Sequence, residues 1–323
     1  MNNRDCGFLF LTESCNLYCA HCYVSALPGV GVHMDLEIVR LSLNVFKILG
    51  INDIRLTGGE PTIHPNFKNI VDCAIGNGFR LGLITNGIMF LRPNWGKTIL
   101  AQLSRCWVSV YGLTANSHGL MVGTRFNQFD KILSVVGERT SEGYCIGISA
   151  SIQPGEVNFL PGFLEHAFRA GVKKLRFIPV EPDGRMEINA HFNWHMWPNE
   201  IKSAYKIILE HPIASEFEIL TINNPFDFES HFKPAQNSCL LRRRQMWSIV
   251  PSGDIYPCCF NVYKKQLCVA NVIDADVCTK LKKYEVSVGN FVCRGLNKSF
   301  WHDAYPDRVT CPISSVGRKK QPM

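Results

Sequence analysis

From residue 7 to about residue 180 the sequence alternates short apolar, β-branched runs with longer stretches of helical periodicity, the rhythm of parallel βα units. The strand candidates are Gly7–Thr12, Asp53–Thr57, Arg80–Thr85, Cys106–Tyr111, Tyr144–Ile152 and Lys174–Val180. Helical stretches lie between them near Asp35–Leu49, Phe67–Asn77, Trp95–Leu103, Phe129–Ser141 and Val157–Ala170. Six units fall short of the eight that close a complete barrel, so the rhythm predicts an α/β chain folded as an open, partial (β/α)6 barrel. Loops at the carboxyl ends of such strands build the active site, which makes the strand-end residues worth reading one by one.

After Val180 the pattern changes. Glu181-Pro182-Asp183-Gly184 reads as a turn, residues 191–198 are rich in Trp and His, and a helical run follows from Glu200 to about His211. From Cys239 onward seven of the 14 cysteines fall in the last 85 residues, with a hairpin signal at Pro251-Ser252-Gly253-Asp254. The expected organisation is therefore a barrel core over 1–184, a connecting or capping segment over 185–236, and a small cysteine-rich domain over 237–323.

A hydrophobic share of 46% with 19% charged residues belongs to an ordinary globular chain. No window approaches the roughly 18 apolar residues of a membrane span, so neither a membrane partner nor secretion is expected. The +7 net charge suits an anionic substrate or an acidic redox partner. With no secretory signal, 14 cysteines are better explained as thiolates reserved for metal in a reducing compartment, the cytoplasm, than as disulfides.

Cys15-x3-Cys19-x2-Cys22 follows the first strand candidate directly. A structural zinc site wants a fourth Cys or His close by, and His21, wedged between two of the cysteines, is a poor ligand. Three thiolates suit an iron–sulfur cube that keeps one iron open for a reactive cofactor. Here the chain closely resembles the radical S-adenosylmethionine (radical SAM) superfamily, whose motif CxxxCxxC follows the first strand of a partial barrel. Thr57-Gly58-Gly59-Glu60-Pro61, at the end of the second strand, matches that family's GGEP motif. Taken alone it is an ordinary βα turn, but glycines permit close approach and Glu60 can accept from an ammonium. The resemblance implies that Gly58, Gly59, Glu60 and Pro61 hold the amino group of SAM, and that Asn86 and Ser109 lie along the SAM and substrate side. Arg125 is a candidate for a carboxylate, or a surface arginine.

Cys239-x13-Gly253-x4-Cys258 resembles the opening of the SPASM or twitch extension of such enzymes, which ligates an auxiliary 4Fe–4S cluster. The continuing CxxCx5Cx3C run of the full SPASM pattern is absent, which favours a single auxiliary cluster. Cys239, Cys258, Cys293 and Cys311 are its candidate ligands. Successive residues of an extended segment point to opposite sides, so Cys259 should face away from Cys258, as a packed thiol or as a hydrogen-atom donor. Cys6, Cys73, Cys106 and Cys145 sit in apolar contexts as small core residues.

The resemblance implies reductive cleavage of SAM to a 5′-deoxyadenosyl radical that abstracts hydrogen from an unactivated C–H bond, with a flavodoxin- or ferredoxin-type electron donor. Peptide modification in natural-product biosynthesis, by epimerisation or crosslinking, is the first expectation. The second is a sugar or nucleotide substrate, which fits Arg242–Arg244 and the lack of a leader-binding domain before Gly7. A noncatalytic cluster protein binding nucleic acid is the third, and GGEP has no role in it.

Overall fold

The computed structural model describes residues 6–92, 95–123, 128–180, 185, 197–221, 246–260 and 262–288. The parallel strands are β1 (Gly7–Phe10), β2 (Asp53–Thr57), β3 (Arg80–Thr85), β4 (Arg105–Val110), β5 (Ile146–Ile152), β6 (Lys174–Pro179) and β7 (Glu218–Thr221). Between them run α1 (Leu36–Ile48), α2 (Phe67–Gly76), α3 (Lys97–Leu100), α4 (Ala115–Val122), α5 (Phe129–Ser141), α6 (Leu160–Arg169) and α7 (Trp197–Glu210). Then come β8 (Ser248–Ile249), β9 (Asp254–Tyr256), β10 (Ala270–Asn271) and α8 (Val277–Val288). All the strands join one sheet in the order β10-β9-β8-β1-β2-β3-β4-β5-β6-β7.

The six predicted units are present, and the fold is the expected partial barrel. Two expectations change. The rhythm does not stop at Val180, because α7 and β7 add a seventh strand that pairs in parallel with β6. The cysteine-rich segment also begins inside the barrel sheet: β8 pairs in parallel with β1, through Phe8↔Ser248 and Leu9↔Ile249, and carries the β9 hairpin.

Alternation along the strands divides the sheet into two faces. Leu9, Ile54, Leu56, Leu81, Leu83, Val108, Ile148, Leu175 and Phe177 belong to the main core beneath the helices. The intervening positions Arg55, Thr57, Trp107, Ser109, Ser149, Ser151 and Arg176 line the other face, the interior of the partial barrel. A polar row inside an otherwise apolar fold is what a chamber for a polar ligand requires. Among the described residues no helix is long and apolar enough to cross a membrane.

Candidate functional site

The cysteine loop leaves β1 and is held at once by the end of β2. Gly59 N–H donates to Thr12 O at 2.7 Å and Glu60 N–H to Ser14 O at 2.9 Å. Gly58 takes φ +138, and a Cβ at Gly59 would stand 2.1 Å from Ser14 O. The glycine pair thus permits close approach, as the sequence suggests, and what comes close in the structure is the loop carrying Cys15.

Glu60 is 1% exposed. Its Oε1 accepts from Thr62 N–H at 3.1 Å, Thr62 Oγ1 at 2.5 Å and Thr85 Oγ1 at 2.7 Å, and its Oε2 accepts from Asn86 N–H at 2.7 Å. Burial pushes the carboxyl above its ordinary value, opposed by these donors from Asn86, Thr62 and Thr85. A carboxylate has about four acceptor positions, so this one is largely committed to tying the β2 and β3 ends together. These bonds give Glu60 a positioning role between the β2 and β3 ends, at the place where the sequence reading expects an acceptor for a ligand ammonium. Glu60→Gln turns one oxygen into a donor facing another N–H, so the cofactor-free protein should lose about 2 kcal/mol and melt several degrees lower. A variant that melts with wild type but binds SAM more weakly would return Glu60 to the ligand.

Asn86 extends the tie to the cysteines. Its Nδ2 donates to Asn16 Oδ1 at 2.7 Å and lies 4.0 Å from Cys15 Sγ, which also receives Leu17 N–H at 3.4 Å. Cys15 and Cys19 are buried with Leu17, Ala26 and Val122, and Cys22, Ile88 and Tyr111 pack against that group. Burial pushes the Cys15 thiol up to about 12 and raises Cys19 as well, with the neighbouring cysteines adding to the effect. Among the described residues no three Cys, His, Asp or Glu side chains converge on one metal ion. Three thiols sharing one apolar hollow fit a cube, in which each thiolate takes a different iron. The donor set therefore fits a 4Fe–4S cluster.

Arg185, just beyond β6, is a residue the sequence reading missed. Its Nε and Nη2 donate to Cys19 O at 2.9 and 2.7 Å, and Nη1 donates to Ala26 O at 3.0 Å. The guanidinium also lies 4.6 Å over the Tyr18 ring. It pins both ends of the turn that carries Cys19 and Cys22, and no motif announces contacts made to carbonyls 166 and 159 positions away. Arg185→Met keeps the stem but loses three charge-assisted hydrogen bonds, so the protein should fold yet release iron to a chelator at least several times faster. Chelator kinetics equal to wild type would exclude a clamping role.

The β4 end adds Ser109, buried and hydrogen-bonded to Tyr111. Tyr111 stands 4.5 Å from the ring of His21, which burial and the charge of Arg185 push down to about 4 and so keep neutral. Cys258 and Cys259 are both buried, and their side chains hydrogen-bond each other. The expected opposite facing fails because both lie beyond β9, where the chain has left the extended conformation and is turning. Cys259 packs with Phe10, Val250, Tyr256 and Val262. Arg125, Cys239, Cys293 and Cys311 lie outside the described residues.

Residues 9–119 match the Radical SAM superfamily. The chain carries a radical SAM domain. Members of this enzyme superfamily need a 4Fe–4S cluster and SAM, and the three-thiol hollow falls inside the matched span. A probable GTP 3′,8-cyclase of Saccharolobus islandicus is 28% identical over 184 residues, which covers 54% of this chain and 56% of that protein. A GTP 3′,8-cyclase of Corynebacterium glutamicum is 30% identical over 190 residues, covering 55% and 49%. The chain spans about half the length of the curated relatives it matches. Among solved structures, Streptococcus suis SuiB bound to S-adenosylmethionine gives a TM-score of 0.68 at 13% identity, over 90% of this chain and 69% of that one. Native anSMEcpe with bound AdoMet gives 0.67 at 16% identity, over 93% and 88%. At such identities the likeness to a radical SAM enzyme is one of fold.

Proposed function

We propose that this chain is a radical SAM enzyme in which Cys15, Cys19 and Cys22 hold a 4Fe–4S cluster. SAM binds along the ends of β2, β3 and β4, beside Gly58, Gly59, Pro61, Asn86 and Ser109. The observation that carries this reading is the single apolar hollow that gathers three thiols at the end of β1 and is tied to the next two strand ends through Glu60 and Asn86. When bound, the cluster supplies the electron that divides SAM into methionine and a 5′-deoxyadenosyl radical able to take hydrogen from an unactivated C–H bond. The protein positions the partners and excludes water: Arg185 fixes the cluster loop, and Glu60 fixes the loops along which SAM would lie.

A peptide substrate is supported by the whole-chain fold likeness to SuiB, one structure of which is bound to the precursor peptide SuiA. A small anionic molecule is supported by the relation to GTP 3′,8-cyclases, which covers 54% of the chain. Cys258, with Cys239, Cys293 and Cys311, is assigned to one auxiliary 4Fe–4S cluster, and a flavodoxin- or ferredoxin-type protein of the cytoplasm to electron delivery. Anaerobically reconstituted protein given dithionite and SAM should release 5′-deoxyadenosine, measured by chromatography and mass spectrometry. Its absence from fully iron-loaded protein, with and without peptide and nucleotide pools, would overturn the reading. The pool that accelerates release identifies the substrate class.

A further inference from the structure

Inside the barrel, on the sheet face opposite the main core, Arg176 of β6 has an unusual environment. Its Nε and Nη2 both donate to one hydroxyl, Ser149 Oγ, at 3.1 and 3.0 Å, and its guanidinium lies 4.8 Å over the Trp107 ring. Two of five N–H donors are thus spent on a single neutral acceptor, and among the described residues no carboxylate pairs with Arg176. Arg176 is only half-buried, so its unspent donors are not sealed in protein. Arg55 of β2 adds a like charge near Arg176, and burial together with that charge pushes Arg176 down to about 10, still protonated at neutral pH.

The neighbourhood is cationic overall. Asp53 bonds both Arg55 and Arg105, so two guanidiniums already share one carboxylate and Arg55 sets a further like charge near Arg176. Two strand glycines make the room. A Cβ at Gly82 would stand 2.8 Å from Arg55 Cδ, and one at Gly147 would stand 2.8 Å from the Trp107 ring. A half-buried guanidinium without a counter-ion is unfavourable unless something repays its lost hydration. A cation–π contact repays only part of that cost. The register pairs Ser109 with Ser149 and Ser149 with Arg176, which sets the Arg176 backbone level with the strand-end serine, while Arg55 pairs with Gly82 and Gly82 with Arg105 at the start of β4, so Arg55 approaches from the amino-end side of the sheet.

We infer that Arg176, with Ser149 and the adjacent Arg55, receives an oxyanion of the substrate, a phosphoryl or carboxylate group, inside the barrel. The inference rests on the proposed function only in taking the barrel interior as the substrate chamber. A planar guanidinium fork is suited to either group, and the flanking Trp107 and Ser149 hold that fork in place before the ligand arrives.

The test is calorimetric titration of anaerobically reconstituted full-length protein with pyrophosphate and, separately, with succinate. At least one anion should bind saturably, with Kd raised tenfold or more in Arg176→Gln, less in Arg176→Lys, and unchanged in Arg40→Gln on exposed α1. A preference for pyrophosphate assigns a phosphoryl group, and a preference for succinate a carboxylate. Absence of saturable binding, or binding untouched by Arg176→Gln, would overturn the inference. So would an Arg176→Gln protein that loses affinity for SAM while keeping its affinity for anions. If the variants fail to fold, wild type still decides: either anion should shield Arg176, and not Arg40, from phenylglyoxal, read by mass spectrometry, and equal labelling overturns the site. Release of 5′-deoxyadenosine is measured on the same preparation. Its absence beside intact anion binding would sink the proposed enzyme activity alone, and the converse would sink this site alone.

Discussion

Changing Cys15, Cys19 and Cys22 together to Ala should lower the iron content of anaerobically reconstituted protein by about four atoms per chain and abolish 5′-deoxyadenosine formation. The three thiols lie in one hollow with Leu17, Ala26 and Val122, and exchanging small buried thiols for methyl groups leaves that hollow apolar. Folding of the cofactor-free chain should therefore survive, which circular dichroism and the melting temperature would check. Hydrogen bonds from Asn86 and Leu17 to Cys15 disappear, but Asn86 keeps its bond to Asn16. Iron that remains would belong to the auxiliary cluster proposed for Cys239, Cys258, Cys293 and Cys311, so one variant separates the two proposed sites. A triple variant with the full iron content would show that these cysteines hold no cluster, and the functional proposal would fall with them.

Much of the barrel is legible in the sequence because each central strand is a short apolar run bounded by turn residues. Asp53–Thr57, Arg80–Thr85 and Phe129–Ser141 have the same limits in the structure as in the sequence reading. The omissions share a cause: weak local signal repaid by tertiary contact. α4 carries Gly119 and a nearly even spread of apolar residues, and its capping box uses Ser117 where Glu or Gln would be recognised. β7 has only four residues at the far edge of the sheet. At the site, the spacing of Cys15, Cys19 and Cys22 singled out a loop whose three thiols share one hollow in the structure. What supports that loop was not legible, because Arg185 and Glu60 act on backbone groups brought in from other strands. Arg176 looks in the sequence like one more charge in an apolar run, and only the structure sets it between Ser149 and the ring of Trp107, with no carboxylate partner among the described residues.

Gly59→Ala is expected to be among the most damaging single substitutions in the cofactor-free chain, although it adds only one methyl group. Its Cβ would meet Ser14 O at 2.1 Å and Ser14 C at 2.7 Å, and backbone atoms cannot swing aside as a side chain can. The β2 end must then retreat from the cysteine loop, which weakens the bonds from Gly59 N–H to Thr12 O and from Glu60 N–H to Ser14 O. Overpacking of this kind costs roughly 1–3 kcal/mol, and each lost hydrogen bond about 1 kcal/mol more. A total near 4 kcal/mol corresponds to a fall in melting temperature of roughly 10 °C for a domain of this size. Gly162→Ala is the matched control, since it lies within α6 and a Cβ there meets nothing within 4 Å. Alanine in a helix interior should stabilise by about 0.5–1 kcal/mol, so the two identical chemical changes should move the melting temperature in opposite directions. Equal melting of Gly59→Ala and wild type would mean that the GGEP turn does not press on the cysteine loop. The glycines would then have to be explained by a ligand and not by the chain itself.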